Sequence, residues 1–366
     1  MESNSFYLDS IQLRDIPQLR LIGSKYRMLT NISGVIRKEQ ISGKTLFDVF
    51  SGSASVGRYF KNSYSIVSND MLYFSYILQR ALITLNKNPT FSSIEMESGS
   101  TDPNHRIYQV LDFLNNLDGE DGFITSHYTP LSIDNEGIER KYFSVENGEK
   151  IDSIRGKIEE WRKTDQIDED EYFYLLASLL LSVQKVANIS GTYGAYNKFW
   201  DPRSKKSLSL KFIKIIPSVF EHIAFNKDIF EILNLVDADI AYLDPPYNAR
   251  QYITNYHILE TIARYDKPKI KGKTGIREYR DNEKSIFCNK RQVNKYFFKL
   301  LNNINAQHVL ISYNSDGIMS REEINDIMVN SGFKNIKIYE FPLRAFKSNK
   351  SLFEKTIKEY IFVGKR

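Results

Sequence analysis

Apolar and polar positions follow two different periods along this chain, and the two occupy different zones. Thr45-Leu46-Phe47-Asp48-Val49-Phe50 is a short apolar run that predicts a strand. Ser51-Gly52-Ser53-Ala54-Ser55-Val56-Gly57 follows as a turn of small residues, and Arg58-Tyr59-Phe60-Lys61 begins a helix. Residues 65–70 predict a second strand ending in an acid, with a helix after it over 72–86. Strand, turn, helix, strand and acid in that order make a nucleotide-binding α/β unit.

The helical period takes over in the middle. After a polar loop at 89–100, helices are predicted over 107–114, 151–161 and 169–188. In the last of these, Tyr172, Leu175, Leu176, Leu179, Val183 and Val186 form one stripe, which reads as a core-facing side. The loop Ser190-Gly191-Thr192-Tyr193-Gly194-Ala195-Tyr196-Asn197-Lys198-Phe199-Trp200 mixes Gly, aromatics, Asn and Lys. Alternation of strand and helix resumes after about residue 207. Strands are expected at 239–243, 308–313, 335–339 and 359–363, the last two joined by a basic loop. Helices are expected at 252–265, 293–303 and 321–330, the last closed by Ser331-Gly332. The expectation is an α/β domain split into 1–90 and 208–366, with a mainly helical insertion over 91–207.

Composition narrows the class. The chain has 366 residues, 42% of them hydrophobic, enough for a sizeable core. Its longest apolar run, residues 175–181, is far shorter than a membrane span, and the first residues lack the basic and apolar regions of a signal peptide. A cytoplasmic location without membrane association is expected. One cysteine, Cys288, excludes an internal disulfide and any multi-Cys zinc site, and the five histidines show no metal spacing. The net charge of +5 is mild, but it is unevenly spread. From Arg264 to Arg291 there are ten Lys or Arg against four acids, and a second cluster holds Lys198, Arg203, Lys205, Lys206, Lys211 and Lys214. Solvated loops and phosphate contact are both open readings of these clusters.

Asp244-Pro245-Pro246-Tyr247 carries the sharpest chemistry. It follows the apolar run Ala238-Asp239-Ile240-Ala241-Tyr242-Leu243, at the strand end where open α/β sheets bind ligands. The prolines stiffen the turn and have no N–H, so the carbonyls remain available as acceptors. A carboxylate, a free carbonyl and an aromatic plate suit the gripping of a flat ring that bears an NH2 group.

With these motifs in order, the chain resembles the Dam-type (D12-class, α-group) DNA N6-adenine methyltransferases. Gly23-Ser24-Lys25-Tyr26-Arg27-Met28-Leu29 is similar to their N-terminal G-G-K-R segment, and Phe50-Ser51-Gly52-Ser53-Ala54-Ser55 to their F-x-G-x-G-S loop. Asn69-Asp70 matches the acid ending the second strand, Phe225-Asn226-Lys227-Asp228 a later acidic motif, and Asp244 to Tyr247 the catalytic one. Ile311-Ser312-Tyr313-Asn314-Ser315-Asp316-Gly317 resembles a further strand-end motif. The matches run from about residue 20 to 350. Ala54 departs from the pattern: family members have a second Gly there, free to take positive φ.

The resemblance implies a Rossmann-like S-adenosylmethionine-dependent methyltransferase sheet with an inserted, mainly helical target-recognition domain, and no metal. It implies a donor site built from Lys25, Phe50, Gly52, Asp70, Asp228, Ile229 and Asp244. Lys25 would reach the methionine carboxylate, Asp70 the ribose hydroxyls, and Asp228 with the N–H of Ile229 the adenine ring. Helix capping is the other reading for both Asp70 and Asp228. On the acceptor side, Asp244 and the Pro245 carbonyl would accept from the two N–H groups of adenine N6, and Tyr247 would stack on the base. Pro246 completes the turn. The base must leave the duplex to reach such a pocket. Tyr193, Tyr196, Asn197, Lys198, Lys269, Lys271, Lys273 and Arg277 are the candidates for contact with double-stranded DNA, with Arg280 and Arg291 as further phosphate candidates. The expected role is the modification half of a bacterial restriction–modification pair, acting as a monomer and without a stable complex with its cognate endonuclease. RNA methylation and a non-catalytic DNA-binding relative are the alternatives.

Overall fold

Seven strands form the central sheet of the computed structural model, which describes residues 11–19, 21–96, 103–344 and 356–366. In chain order they are β1 (Thr45–Asp48), β2 (Ser65–Asn69), β3 (Ile223–Phe225), β4 (Asp237–Leu243), β7 (Asn305–Asn314), β8 (Lys334–Arg344) and β9 (Thr356–Lys365). Two further short strands, β5 (Ile270–Lys271) and β6 (Ile276–Arg277), form a separate hairpin. The spatial order is β3-β2-β1-β4-β7-β9-β8. The first five positions are parallel, while β9 runs antiparallel between β7 and β8. Register is set by apolar alternation: Leu46 lies opposite Ile240 and Phe47 opposite Ala241, while Ile240 lies opposite His308.

Because successive side chains point to opposite faces, each strand feeds two cores. Leu46, Ile66, Ile240, Tyr242, Leu310, Ile361 and Val363 belong to one buried cluster. Phe47, Val49, Ala241, Leu243, Val309, Ile311 and Phe362 belong to the other. Helices cover both faces, as a mostly parallel sheet requires. Helices Ile229–Ile232, Val293–Asn303 and Arg321–Asn330 supply the second cluster. On the first, helix Leu29–Lys38 buries Leu29, Ile32, Val35 and Ile36. The helices between β2 and β3 join that same cluster. Glu169–Val186, opened by a capping box of Asp168 and Glu171, buries Leu175, Leu176, Leu179 and Val183. Val145–Lys163 starts at the Ser144 cap.

The predicted helix at 72–86 is two pieces: an α-helix at Tyr73–Gln79 and a wider π-turn over Arg80–Thr84, where the Thr84 hydroxyl takes the Arg80 carbonyl at 2.7 Å. The helix predicted at 252–265 is also divided, into Tyr252–Asn255 and His257–Arg264. Tyr256 breaks it at φ −124° and ψ 23°, with its hydroxyl bonded to the Ile22 N–H. The basic stretch near 270 forms the β5–β6 hairpin. The basic loop expected before the last strand lies outside the described residues. Among the described residues no helix is long and apolar enough to cross a membrane.

Candidate active site at the strand ends

The sheet order reverses at β1, whose neighbours are β2 on one side and β4 on the other, so the connections leave a crevice at their C-terminal ends. Three acids stand there: Asp48 ending β1, Asp70 just after β2, and Asp244 just after β4. One cleft takes its lining from all three, together with Lys25, Phe50, Gly52, Asp228, Ile229 and Tyr247.

Each acid is held differently. Asp48 Oδ2 accepts from Ser51 Oγ (2.9 Å) and the Gly57 N–H (3.2 Å), while its buried Oδ1 has no partner among the described residues. Asp70 accepts from the Gly52 N–H and the Leu72 N–H, both at 2.9 Å, and so ties the small-residue turn to the second strand. It does not cap the next helix. That task falls to the buried Glu260, whose two oxygens take the Tyr73 and Phe74 N–H groups at 3.0 Å each. Asp228 does cap a helix, accepting the Phe230 N–H at 2.9 Å. Burial pushes the carboxyls of Asp48 and Asp244 up to about 7 and that of Asp70 up to about 6, with neighbouring acids adding to the effect.

The small-residue turn keeps its shape with Ala54 in it. Ala54 adopts the left-handed conformation at φ 60°, ψ 15°, fully buried. The second glycine of the pattern is therefore replaced without loss of the conformation it usually supplies.

The acceptor side is anchored by Lys25, at the start of a short 3-10 turn and only 5% exposed. Three oxygens surround its ammonium: Asp244 Oδ1 at 2.6 Å, Glu359 Oε1 at 3.1 Å and the Gly23 carbonyl at 3.1 Å. An ammonium has three donors. Lys25 is thus surrounded by protein oxygens at the edge of the cleft, where the sequence expectation has it reaching a methionine carboxylate. Burial alone would lower its proton affinity, but Asp244 and Glu359 outweigh that and hold it above its ordinary value. Gly23 sits at φ 79°, and a Cβ on it would lie 2.7 Å from the Tyr247 ring, so glycine is required on both counts. The Tyr247 ring meets Tyr313 edge-on, and its carbonyl accepts the Ile318 N–H. Among the described residues, Asp244 Oδ2 accepts no hydrogen bond and no backbone N–H bonds the Pro245 carbonyl.

Two of the nominated DNA contacts are interior. Tyr193 is fully buried, with its carbonyl accepting from Tyr142 and bonded to His257 Nε2, so it is a core residue. Arg277 is 3% exposed and pairs with Asp266 at 2.6 Å, so its charge is spent inside. Asn197 is folded back on Asn188. Lys198, Lys269, Lys271 and Lys273 are exposed, Lys271 pairing with Glu278, and Tyr196 is half-buried. Sequence reasoning passed over Asp48, Glu359 and Glu260, since single acids in apolar runs carry no pattern. Phe199, part of the aromatic loop noted from sequence but not among its named DNA candidates, is 85% exposed beside Lys198.

The lining suits a cationic ligand without phosphate. Its charged members are Lys25 and Lys227 against Asp48, Asp70, Asp228, Asp244 and Glu283. Phe50, Ile229 and Phe287 give apolar walls for a flat ring, and the buried Asp48 Oδ1 has no hydrogen-bond partner among the described residues. Among the described residues no cluster of His, Cys, Asp or Glu has the geometry of a metal site.

Comparison with known proteins agrees with this arrangement. The model of the D12 class N6 adenine-specific DNA methyltransferase family matches residues 21–327. The chain is 42% identical over 349 residues to the Type II methyltransferase M.FokI of Planomicrobium okeanokoites, covering 94% of this chain and 52% of that one. It is 36% identical over 353 residues to Modification methylase StsI of Streptococcus sanguinis, covering 95% and 52%. Against the Type II methyltransferase M.NlaIII of Neisseria lactamica it is 37% identical over 346 residues, covering 91% and 94%. The chain therefore spans about half the length of the first two relatives and nearly all of the third. Family match, motif order and strand-end geometry agree, and the chain belongs to the D12 class N6 adenine-specific DNA methyltransferases.

Proposed function

We propose that this chain methylates the exocyclic N6 of an adenine flipped out of a specific short sequence in double-stranded DNA, as the modification enzyme of a bacterial type II restriction–modification system. The observation that carries this reading is the free Asp244 Oδ2 beside the free Pro245 carbonyl, with Tyr247 next to them in an acidic cleft. An NH2 group offers two N–H donors, and those two acceptors suit them. Adenine N6 is a weak nucleophile because its lone pair is delocalised into the ring. Accepting both N–H groups draws that pair outward, and the preorganised acceptors do so without reorganising. Tyr247 would stack on the base, and Asp244 would take the proton that N6 sheds.

S-adenosylmethionine, when bound, supplies a methyl group on a sulfonium. Asp70 would hold its ribose hydroxyls, Asp228 and Ile229 its adenine edge, Phe50 a ring face, and Gly52 would permit close backbone approach. Asp48 fits its ammonium group. The helical segment 91–207 is assigned to target recognition and the rest to catalysis. Tyr196 and Lys198 from the insertion, with Lys269, Lys271 and Lys273 from the hairpin side, would meet DNA. A cytoplasmic monomer that meets its cognate endonuclease only through shared DNA sites completes the reading.

The test is to express the chain in a host lacking adenine methylation and to map modified adenines by single-molecule sequencing, with Asp244→Ala as control. One short motif modified by wild type alone supports the proposal. An unmodified genome from folded, donor-binding protein refutes it and redirects attention to RNA.

A further inference from the structure

Glu359 lies on β9, on the same face as Ile361, and is only 2% exposed. A buried carboxylate on this face of the sheet costs free energy unless it is satisfied. Its Oε1 accepts from Ser312 Oγ on β7 at 2.7 Å, Asn314 Nδ2 lies 3.5 Å from Oε2, and Lys25 Nζ is 3.1 Å from Oε1. Neutralising Lys25 does not require this second acid, because Asp244 already stands at 2.6 Å. Lys25, Asp244 and Glu359 form a buried set with one more negative than positive charge when all are ionised.

We propose that Glu359 is a positioning residue for methyl transfer: it shares the Lys25 ammonium with Asp244 and so keeps Asp244 a strong acceptor for the amine. This rests on the function proposed above. A lone Lys25–Asp244 pair would draw the carboxylate's electron density onto Oδ1 and weaken Oδ2. Glu359 pulls the ammonium the other way, and Ser312 fixes Glu359 in that position. The charge from Glu359 also raises the proton affinity of Asp244, adding to burial and opposing Lys25. The other groups facing Asp244 are Asp48 from β1, Tyr242 from β4, Tyr247 from the turn after β4, and Tyr252 at the start of helix Tyr252–Asn255. Of the charged members of this set, Glu359 alone lies on β9 and is reached through Lys25.

The experiment is the pH profile of kcat/KM for transfer of tritiated methyl from S-adenosylmethionine to genomic DNA of an adenine-methylation-deficient host. Wild type, Glu359→Gln and Glu359→Asp are compared, with donor affinity measured by calorimetry. In Glu359→Gln the acid limb moves to lower pH and the plateau falls about tenfold, a part of the ~10²–10⁴-fold that positioned acid–base groups contribute. Glu359→Asp keeps the charge but withdraws it from Lys25, so it shifts the limb the same way by less. It decides the matter if the glutamine variant does not fold. Donor affinity stays within about threefold of wild type. A limb unmoved in both variants, with activity falling only as folded protein is lost, overturns the proposal. Absence of transfer by wild type would instead overturn the function on which it rests.

Discussion

Replacing Gly23 by Ala puts a single methyl group between the backbone and the acceptor machinery. The new Cβ would lie 2.7 Å from Tyr247 Cε1 and 3.2 Å from the Tyr247 hydroxyl, whereas ordinary contact begins at 3.4 Å. The ring must retreat by about 0.7 Å. It cannot do so freely, since Tyr313 backs it and its own carbonyl is fixed by the Ile318 N–H. The residue must also hold φ near +79°, which costs an L-residue about 1–2 kcal/mol. Two effects follow. Unfolding free energy falls by about 1–3 kcal/mol, read from denaturant midpoints at constant slope. Methyl transfer falls about 10- to 100-fold in kcat/KM, since sub-ångström misplacement of a positioning group carries penalties of that order. Donor binding changes far less, because Tyr247 belongs to the acceptor side. A Gly23→Ala protein with wild-type transfer and an unchanged midpoint would refute both the required backbone and the role of the ring.

Asp244→Ala removes the free oxygen while leaving Lys25 paired with Glu359, so transfer should fall by at least ~10³-fold with donor affinity within about threefold; a calorimetric titration beside the tritium assay checks this. Ala54→Gly relieves a left-handed alanine, worth about 1–2 kcal/mol, but loses a buried methyl worth ~0.8 kcal/mol. Its melting temperature should therefore move only slightly, with transfer retained, and a drop of ten degrees would contradict the balance. Glu260→Gln leaves one of the Tyr73 and Phe74 N–H groups facing an amide donor and weakens the pair with Arg264. The expected loss is about 1–3 kcal/mol of unfolding free energy, with weaker donor binding because the Asp70–Leu72 turn loosens; equal denaturant midpoints would count against it.

Much of the fold was legible because periodicity is a local signal. The helices at 293–303 and 321–330 match the structure end to end, since their apolar stripes and flanking breakers are complete in sequence. The strands before Gly52, Asp70 and Asp244 were legible as apolar runs ending in polar turns. What escaped was long-range. β3 is three residues, Ile223-Ala224-Phe225, and exists only because β2 offers it an edge. The division of the helix at Tyr256 depends on Ile22, 234 residues away. Tyr193 resembles a surface aromatic among Gly and Asn until Tyr142, Asn255 and His257 enclose it. Arg277 resembles a free cation until Asp266 is found beside it. Glu359 was illegible for the same reason: its partners Lys25 and Ser312 come from other parts of the chain.

The carboxylates at adjoining strand ends make proton release part of ligand binding. Asp48, Asp70 and Asp244 bind protons more tightly in the folded protein, at about 7, 6 and 7, than the ordinary value of 3.8. Their protonated forms therefore favour the fold. That contribution is complete below about pH 4 and is lost as pH rises through 6 to 7. A net cationic donor reverses the balance at Asp48 and Asp70, the two acids proposed to hold it, because it favours their ionised forms and expels their protons. Calorimetric titrations near pH 6.5 in buffers of different ionisation enthalpy should give heats that differ accordingly, and heats independent of buffer would oppose this. The free enzyme should then be loosest under alkaline conditions, where the donor stabilises it most. Ground-state repulsion in the empty cleft thus becomes affinity for the charge the cleft is built to receive.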